Sequence, residues 1–263
     1  MENLSAIVTG GHKYQENCVQ LAKETAKKLD LKYVRRGNES LDDLRSKYNV
    51  EFILVAKNNS LVLDTAEGEF FFHPNMAHLR IKNLRLGKKD NMVTAMGLDE
   101  GMSVLDCTLG FGADAIVSSY AVGETGKVTG IEYSPLIAEV VSYGLSHALG
   151  ENYDIHRAMR GIEVKQGDYL NYLKRSADKS FDVVYFDPMF RHPLKESCNF
   201  NPLRIVANHN PVTLEAIKEA MRVARHRVVL KENSRSLEFE RLGFNKIMGG
   251  KYSKVHYGVI DLD

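Results

Sequence analysis

The chain has 263 residues, with 35 Lys and Arg against 34 Asp and Glu, a formal net charge of +1, and 44% hydrophobic and 26% charged residues. These proportions belong to an ordinary globular protein and exclude disordered, collagen-like and low-complexity chains. No apolar run reaches the roughly 18–20 residues of a membrane helix, and near-zero charge argues against a general nucleic-acid binder while allowing a local basic patch.

Met1-Glu2-Asn3-Leu4-Ser5 lacks the basic-then-apolar pattern of a signal peptide. Cys18, Cys107 and Cys198 lie far apart and read as reduced thiols of a cytoplasmic protein. Ala6-Ile7-Val8 is a short apolar run ending at Gly10-Gly11. Between Gln15 and Leu29, the residues Cys18, Val19, Leu21, Ala22, Ala26 and Leu29 follow helical spacing. Leu31 to Val34 predicts a strand, and Ser40-Leu41-Asp42-Asp43 caps a short helix to about Tyr48. Phe52-Ile53-Leu54-Val55 and Leu61-Val62-Leu63 flank Asn58-Asn59 as a hairpin, and Glu69 to His73 adds a strand. A small N-terminal α/β domain over residues 1–75 is therefore expected. A basic segment, 76–98, follows and ends in a helical pattern.

From Ser103 the pattern is regular. Strands are expected at Val104-Leu105, Val128 to Ile131, Ile162 to Val164, Phe181 to Phe186 and Arg227 to Leu230. Helices are expected at Ala113 to Ala121, Pro135 to Leu149, just after Asp168, and from Pro211 to about Ala224. Such alternation predicts a mostly parallel sheet covered on both faces. Phe244 to Met248 and Val255 to Ile260 are joined only by Gly249-Gly250-Lys251-Tyr252, too short for a parallel crossover, so this pair is antiparallel. The domain is set at 76–263.

Two stretches carry chemistry. Val104-Leu105-Asp106-Cys107-Thr108-Leu109-Gly110-Phe111-Gly112 is an apolar strand feeding a glycine turn and a helix, where backbone can pass close to a ligand. Glu132 ends the next strand and can accept from both ribose hydroxyls. The spacing fits a dinucleotide or S-adenosylmethionine (SAM); Ala115 stands where a third glycine would be. Asp106 would repel a pyrophosphate and suits a cationic methionine end. Asp168 can accept from an adenine amino group or cap a helix. The second stretch is Phe181-Asp182-Val183-Val184-Tyr185-Phe186-Asp187-Pro188-Met189-Phe190, an apolar strand ending in a carboxylate, a proline and an aromatic. It resembles the Asp/Asn-Pro-Pro-Tyr/Phe motif of methyltransferases that act on amino nitrogens of planar substrates. The Asp187 carboxylate and Pro188 carbonyl can accept from an exocyclic NH2 and favour the charge that develops on it. Phe190 offers a stacking face.

Together these segments resemble class I SAM-dependent methyltransferases, most closely the RsmJ-like family that methylates guanine N2 in 16S ribosomal RNA. Met76-Ala77-His78 with the basic residues after it, Asp106 to Ala115, Asp187-Pro188-Met189-Phe190 and Arg227-Val228-Val229-Leu230-Lys231 carry the likeness, which runs from about Met76 to the C-terminus. The resemblance implies a Rossmann-like seven-stranded sheet, mostly parallel with the last strand antiparallel. It implies SAM as cofactor, held by Asp106, Thr108, Gly110, Gly112, Ala113, Asp114, Glu132, Tyr133, Asp168, Tyr169 and Asp187. It implies Asp187, Pro188 and Phe190 at the reacting amine. His78, Arg80, Lys82, Met189 and Lys231 are the substrate-side candidates, with Lys231 either facing substrate or paired with Glu232. The implied partner is structured RNA, ribosomal RNA or the small ribosomal subunit. Ala113 and Tyr133 replace family arginines, and Leu79 breaks an Arg-Arg pair, leaving Arg80.

Arg80, Lys82, Arg85, Lys88 and Lys89 form one basic cluster, and Arg222, Arg225, Arg227 and Lys231 a second. Such cations contact phosphates and make binding salt-dependent. The nine His and three Cys show no metal-ligand spacing, so no metal is expected. The rival readings are methylation of DNA, protein or a small molecule, a non-catalytic SAM- and RNA-binding protein, and an NAD-dependent enzyme.

Overall fold

The computed structural model describes residues 5–12, 15–148, 152–188 and 210–262. The chain opens with β1 (Ala6–Gly10), α1 (Glu16–Leu29), β2 (Lys32–Val34), α2 (Leu41–Tyr48), β3 (Phe52–Lys57), β4 (Ser60–Thr65) and β5 (Gly68–Phe71). The capping box at Ser40 forms as its pattern predicts: Ser40 Oγ accepts from Asp43 N, and Asp43 accepts from Ser40 N. Both helices stop on non-glycine residues in the left-handed region, Asp30 (φ 53°) and Asn49 (φ 49°), whose short polar side chains tolerate that backbone. The five strands run β2-β1-β3-β4-β5. β1 is parallel to both neighbours, and the β3–β4 and β4–β5 pairs are antiparallel hairpins. Ile7, Val34, Leu44, Ile53, Val55 and Val62 form the core on one face.

The chain continues with α3 (Asn75–Arg85), α4 (Asn91–Met96), β6 (Ser103–Asp106), α5 (Ala113–Val122), β7 (Lys127–Glu132) and α6 (Pro135–His147). By its contacts, α6 belongs with residues 5–73 in one compact unit, where it packs on β4. The second unit takes residues 74–134, 152–188 and 210–262. It adds α7 (Tyr153–Arg160), β8 (Ile162–Gln166), α8 (Tyr169–Arg175), β9 (Phe181–Phe186), α9 (Leu214–Val223), β10 (Ala224–Asn233), α10 (Glu238–Arg241), β11 (Lys246–Met248) and β12 (Val255–Asp261).

Its seven strands run β11-β12-β10-β9-β6-β7-β8. The first five in sequence are mutually parallel, and β12 is antiparallel to both β10 and β11. The expected seven-stranded sheet, mostly parallel with its last strand antiparallel, is therefore present. Leu105, Val184, Phe186, Val228 and Leu230 share one core with Ala216, Ile217 and Ala220 of α9. α9 begins three residues later than Pro211 suggested, because Thr213 is the N-cap and its hydroxyl accepts from Ala216 N. The short helices α7 and α10 were not anticipated. Among the described residues, no helix is long and apolar enough to cross a membrane.

In the second unit, sheet order reverses at β6, which has β7 on one side and β9 on the other. Ligands of open α/β sheets bind beyond the carboxyl ends of the strands at such a point. Asp106, Glu132 and Asp187 end β6, end β7 and follow β9 there.

Candidate active site

The turn after β6 is built on two glycines in the left-handed region, Gly110 (φ 50°) and Gly112 (φ 75°), the second being the N-cap of α5. Backbone bonds fix the turn: Cys107 N donates to Tyr185 O (2.9 Å) and Leu109 N to Ile131 O (2.9 Å). Thr108 ties two strand ends together. Its amide donates to Asp106 Oδ1 (3.0 Å) and its hydroxyl accepts from Asp187 N (2.6 Å). Glu132 is 7% exposed and braces the turn, accepting from Gly110 N (3.1 Å) and Ser134 N (2.8 Å). Burial nevertheless holds its carboxyl above the usual range.

Side-chain alternation along the strands builds the other half of the site. In β9, Val184 and Phe186 enter the hydrophobic core while Tyr185 faces the opposite way; in β10, Val228 and Leu230 do the same and leave Lys231 on Tyr185's face. β9 and β10 are in register at Val229↔Tyr185 and Leu230↔Phe186, so one further step sets Lys231 beside Asp187. Lys231 Nζ lies 2.7 Å from Asp187 Oδ2 and 2.8 Å from Asp114 Oδ2. Asp114 sits in the first turn of α5, where the helix terminus favours a negative charge. It also accepts from Tyr185 OH (2.7 Å) and pairs with Arg80 Nη1. Arg80 in turn forks onto Asp90, Nε at 2.7 Å and Nη2 at 2.8 Å, and Asp90 caps α4.

Charge follows from these contacts. Asp114 is buried, yet Lys231 and Arg80 hold it well below the ordinary carboxylate range. Asp187 is raised to about 6, because burial and the Asp114 charge outweigh Lys231. Asp106 is 2% exposed and is raised to about 8, chiefly by burial. The flanking carboxylates lift Lys231 above its ordinary value despite burial.

Most of the predicted residues converge. Asp106, Thr108, Gly110, Gly112, Ala113, Asp114, Glu132 and Asp187 surround the turn, joined by Lys231 and, through Asp114, by Arg80. Lys231 pairs with Asp114 and Asp187, whereas Glu232 accepts from Asn233 N. Pro188 follows Asp187 at the same strand end. Tyr133 is 52% exposed, and its carbonyl accepts from Gln166 Nε2 (2.9 Å). Asp168 is the N-cap of α8, accepting from Asn171 N (2.9 Å). The Tyr169 ring meets Phe186 edge-on at 5.6 Å. On α3, His78 N donates to Pro74 O (2.8 Å), and Lys82 is exposed. Met189 and Phe190 lie outside the described residues. The second basic cluster is largely engaged: Arg222 pairs with Asp178 and Glu219, Arg225 with Asp182, and Arg227 with Asp261. Asp90 and Tyr185 were not anticipated as site residues; the two-residue spacing from Tyr185 to Asp187 was the one available signal. Among the described residues, no His, Cys, Asp and Glu cluster has metal-ligand geometry.

The donor set decides between the two cofactor classes that fit the glycine turn. The acids Asp114, Glu132 and Asp187 crowd the turn beside the buried Asp106 carboxyl, and Arg80 and Lys231 are already paired. A pyrophosphate would meet net negative charge there, whereas the ammonium and sulfonium of SAM would meet complementary charge.

Comparison with known proteins agrees. A sequence model of the SAM-dependent methyltransferase family matches residues 39–254. The uncharacterized protein YpiP of Bacillus subtilis is 41% identical over 97% of this chain and 98% of its own length. Ribosomal RNA small subunit methyltransferase J of Shewanella loihica is 32% identical over 70% of this chain and 73% of its own. Among solved structures, a SAM-dependent methyltransferase of Neisseria gonorrhoeae shares the fold with a TM-score of 0.64 at 17% identity, covering 97% of this chain and 95% of that one.

Proposed function

This chain belongs to the SAM-dependent methyltransferase family, and on that premise we propose that it methylates an exocyclic amine of a nucleobase, guanine N2 of small-subunit ribosomal RNA, in the cytoplasm. The observation that carries the proposal is the Asp187-Pro188 pair at the end of β9, with Asp187 held by Thr108 and Lys231. The name of the Shewanella relative, a ribosomal RNA small subunit methyltransferase, supports small-subunit ribosomal RNA as the substrate.

SAM, when bound, supplies an electrophilic methyl group on a sulfonium. Glu132 would offer its outer lone pairs to the ribose, and Asp106, which burial keeps protonated near neutral pH in the ligand-free protein, would give up that proton against the cationic end. Asp187 and the Pro188 carbonyl accept the two amine hydrogens and aim the nitrogen lone pair. As the new N–C bond forms, positive charge grows on nitrogen, and Asp187 stabilises it and takes the released proton. Lys82 and its basic neighbours on the same segment steer RNA phosphates.

The test is transfer of labelled methyl from SAM to small ribosomal subunits from a strain lacking this chain, with nucleoside mass spectrometry of the product. N2-methylguanosine is the expected product. Label appearing in DNA, protein or a small molecule instead would overturn the acceptor, and tight SAM and RNA binding without turnover would overturn the reaction.

A further inference from the structure

We infer that Lys231 is a positioning residue for the reaction proposed above: anchored on Asp114, it holds Asp187 through one carboxylate oxygen and leaves the other for the substrate amine. The geometry is specific. Lys231 Nζ reaches Oδ2 of Asp187 (2.7 Å) and Oδ2 of Asp114 (2.8 Å), and its side chain is only 19% exposed. Asp114 is a fixed post, since Arg80 and the Tyr185 hydroxyl hold it as well. Asp187 has no comparable second anchor on its carboxylate. Thr108 fixes its backbone amide, and none of the described residues donates to Oδ1.

Among the described residues, the charged or titratable groups that interact with Asp187 are Asp106 from β6, Asp114 from α5, Tyr185 from β9 and Lys231 from β10; Tyr257 from β12 acts on Lys231, and Arg80 and Asp90 lie behind Asp114. Lys231 is the cation among them that touches Asp187; Arg80 is spent on Asp90 and Asp114. Without Lys231, Asp187 would face two neighbouring acids with no opposing cation, and would take up a proton near neutral pH. A protonated Asp187 can neither accept from the amine nor receive its proton. The step itself balances simply. The nitrogen lone pair forms the N–CH3 bond while the C–S bond breaks with its electrons remaining on sulfur, and the nitrogen then passes one proton to the Asp187 carboxylate. Lys231 stays protonated throughout, so it is neither acid nor base.

The inference rests on the amine-methylation reading for its kinetic consequence, but its physical content can be measured without turnover. In the ligand-free protein, carbon-13 NMR of the Asp187 carboxyl should show its titration midpoint rising by at least ~1 pH unit in Lys231→Met, the range expected when a contacting opposite charge is removed. In methylation assays the acidic limb of kcat should move up by a similar amount. Activity near neutral pH should fall at least ~10-fold, recover towards about pH 9, and leave KM for RNA within about threefold. Lys231→Arg should restore the limb. Asp114→Asn, which removes the competing acid, should lower the Asp187 midpoint, and it decides the matter if Lys231→Met does not fold. A midpoint unchanged in Lys231→Met, or unchanged in Asp114→Asn, overturns the inference. Absence of RNA methylation by the unmodified protein would instead overturn the functional reading, and the NMR titration would still report whether Lys231 holds Asp187.

Discussion

The two sheets share a device and differ in what they hang on it. In each, a central parallel strand has parallel neighbours on both sides, β2-β1-β3 in the first and β7-β6-β9 in the second, and a glycine turn follows it. Beyond β1 the turn is Gly10-Gly11, and the cavity there is lined by His12, Gln15, Arg35 and Arg36. Beyond β6 the turn is met by Asp106, Glu132 and Asp187. Backbone topology sets a glycine turn at both edges, but only side-chain charge makes the second suited to a cationic cofactor. The turn alone is therefore weak as a functional signal, and the acids at the neighbouring strand ends are strong.

This contrast can be broken by substitution, and the largest effect falls on Asp187. Asp187→Ala should lower methyl transfer by ~100-fold or more, the scale of losing one preorganised electrostatic contact at a reacting group. Binding of S-adenosylhomocysteine, followed by calorimetry, should change far less; equal losses would mean that Asp187 acts mainly on the cofactor. Arg80→Met strips a buried acid of one partner, so chemical denaturation should show a loss of about 3 kcal/mol, as for broken buried pairs. Because Arg80 is engaged by Asp90 and Asp114, the salt dependence of RNA binding should not change in that variant, and a reduced slope would place Arg80 on a phosphate.

Glu132→Ala should weaken S-adenosylhomocysteine binding ~10–100-fold, the worth of hydrogen bonds to a charged group. Arg36→Ser, at the other sheet's edge, should leave that affinity unaltered. A smaller effect concerns pH. Asp106 is raised to about 8 in the fold from about 4 in the unfolded chain. The folded state therefore holds more protons across that window, so stability is full below about pH 4 and falls as pH rises to about 8. The slope is at most ~1.4 kcal/mol per pH unit. Asp106→Asn should flatten this decline in thermal melts of the ligand-free protein, and an unchanged slope would mean that Asp106 is ionised throughout. Smallest of all, Lys82→Ala should reduce the salt slope of RNA binding by about one.

The cofactor turn was legible because its parts are local: β6, the glycines and Asp114 fall within a dozen residues, and Glu132 follows one strand later. Asp187 was legible because a strand of Val, Tyr and Phe ends abruptly in Asp-Pro. The chain of ion pairs from Asp90 through Arg80, Asp114 and Lys231 to Asp187 was not, because it spans five elements and depends on the register of β9 against β10. Lys231 and Arg80 therefore read from sequence as substrate-facing cations. The placement of α6 with the first sheet was equally hidden: its apolar face says that it is buried, but not against which strand.

The most direct test of nucleobase amine methylation is made in cells. Small-subunit ribosomal RNA from a strain lacking this chain is digested to nucleosides and quantified by mass spectrometry, with the strain complemented by the unmodified protein or by Asp187→Ala. The proposal predicts that N2-methylguanosine falls in the deletion strain, is restored by the unmodified protein and is not restored by Asp187→Ala. An identical nucleoside profile in all strains would contradict it.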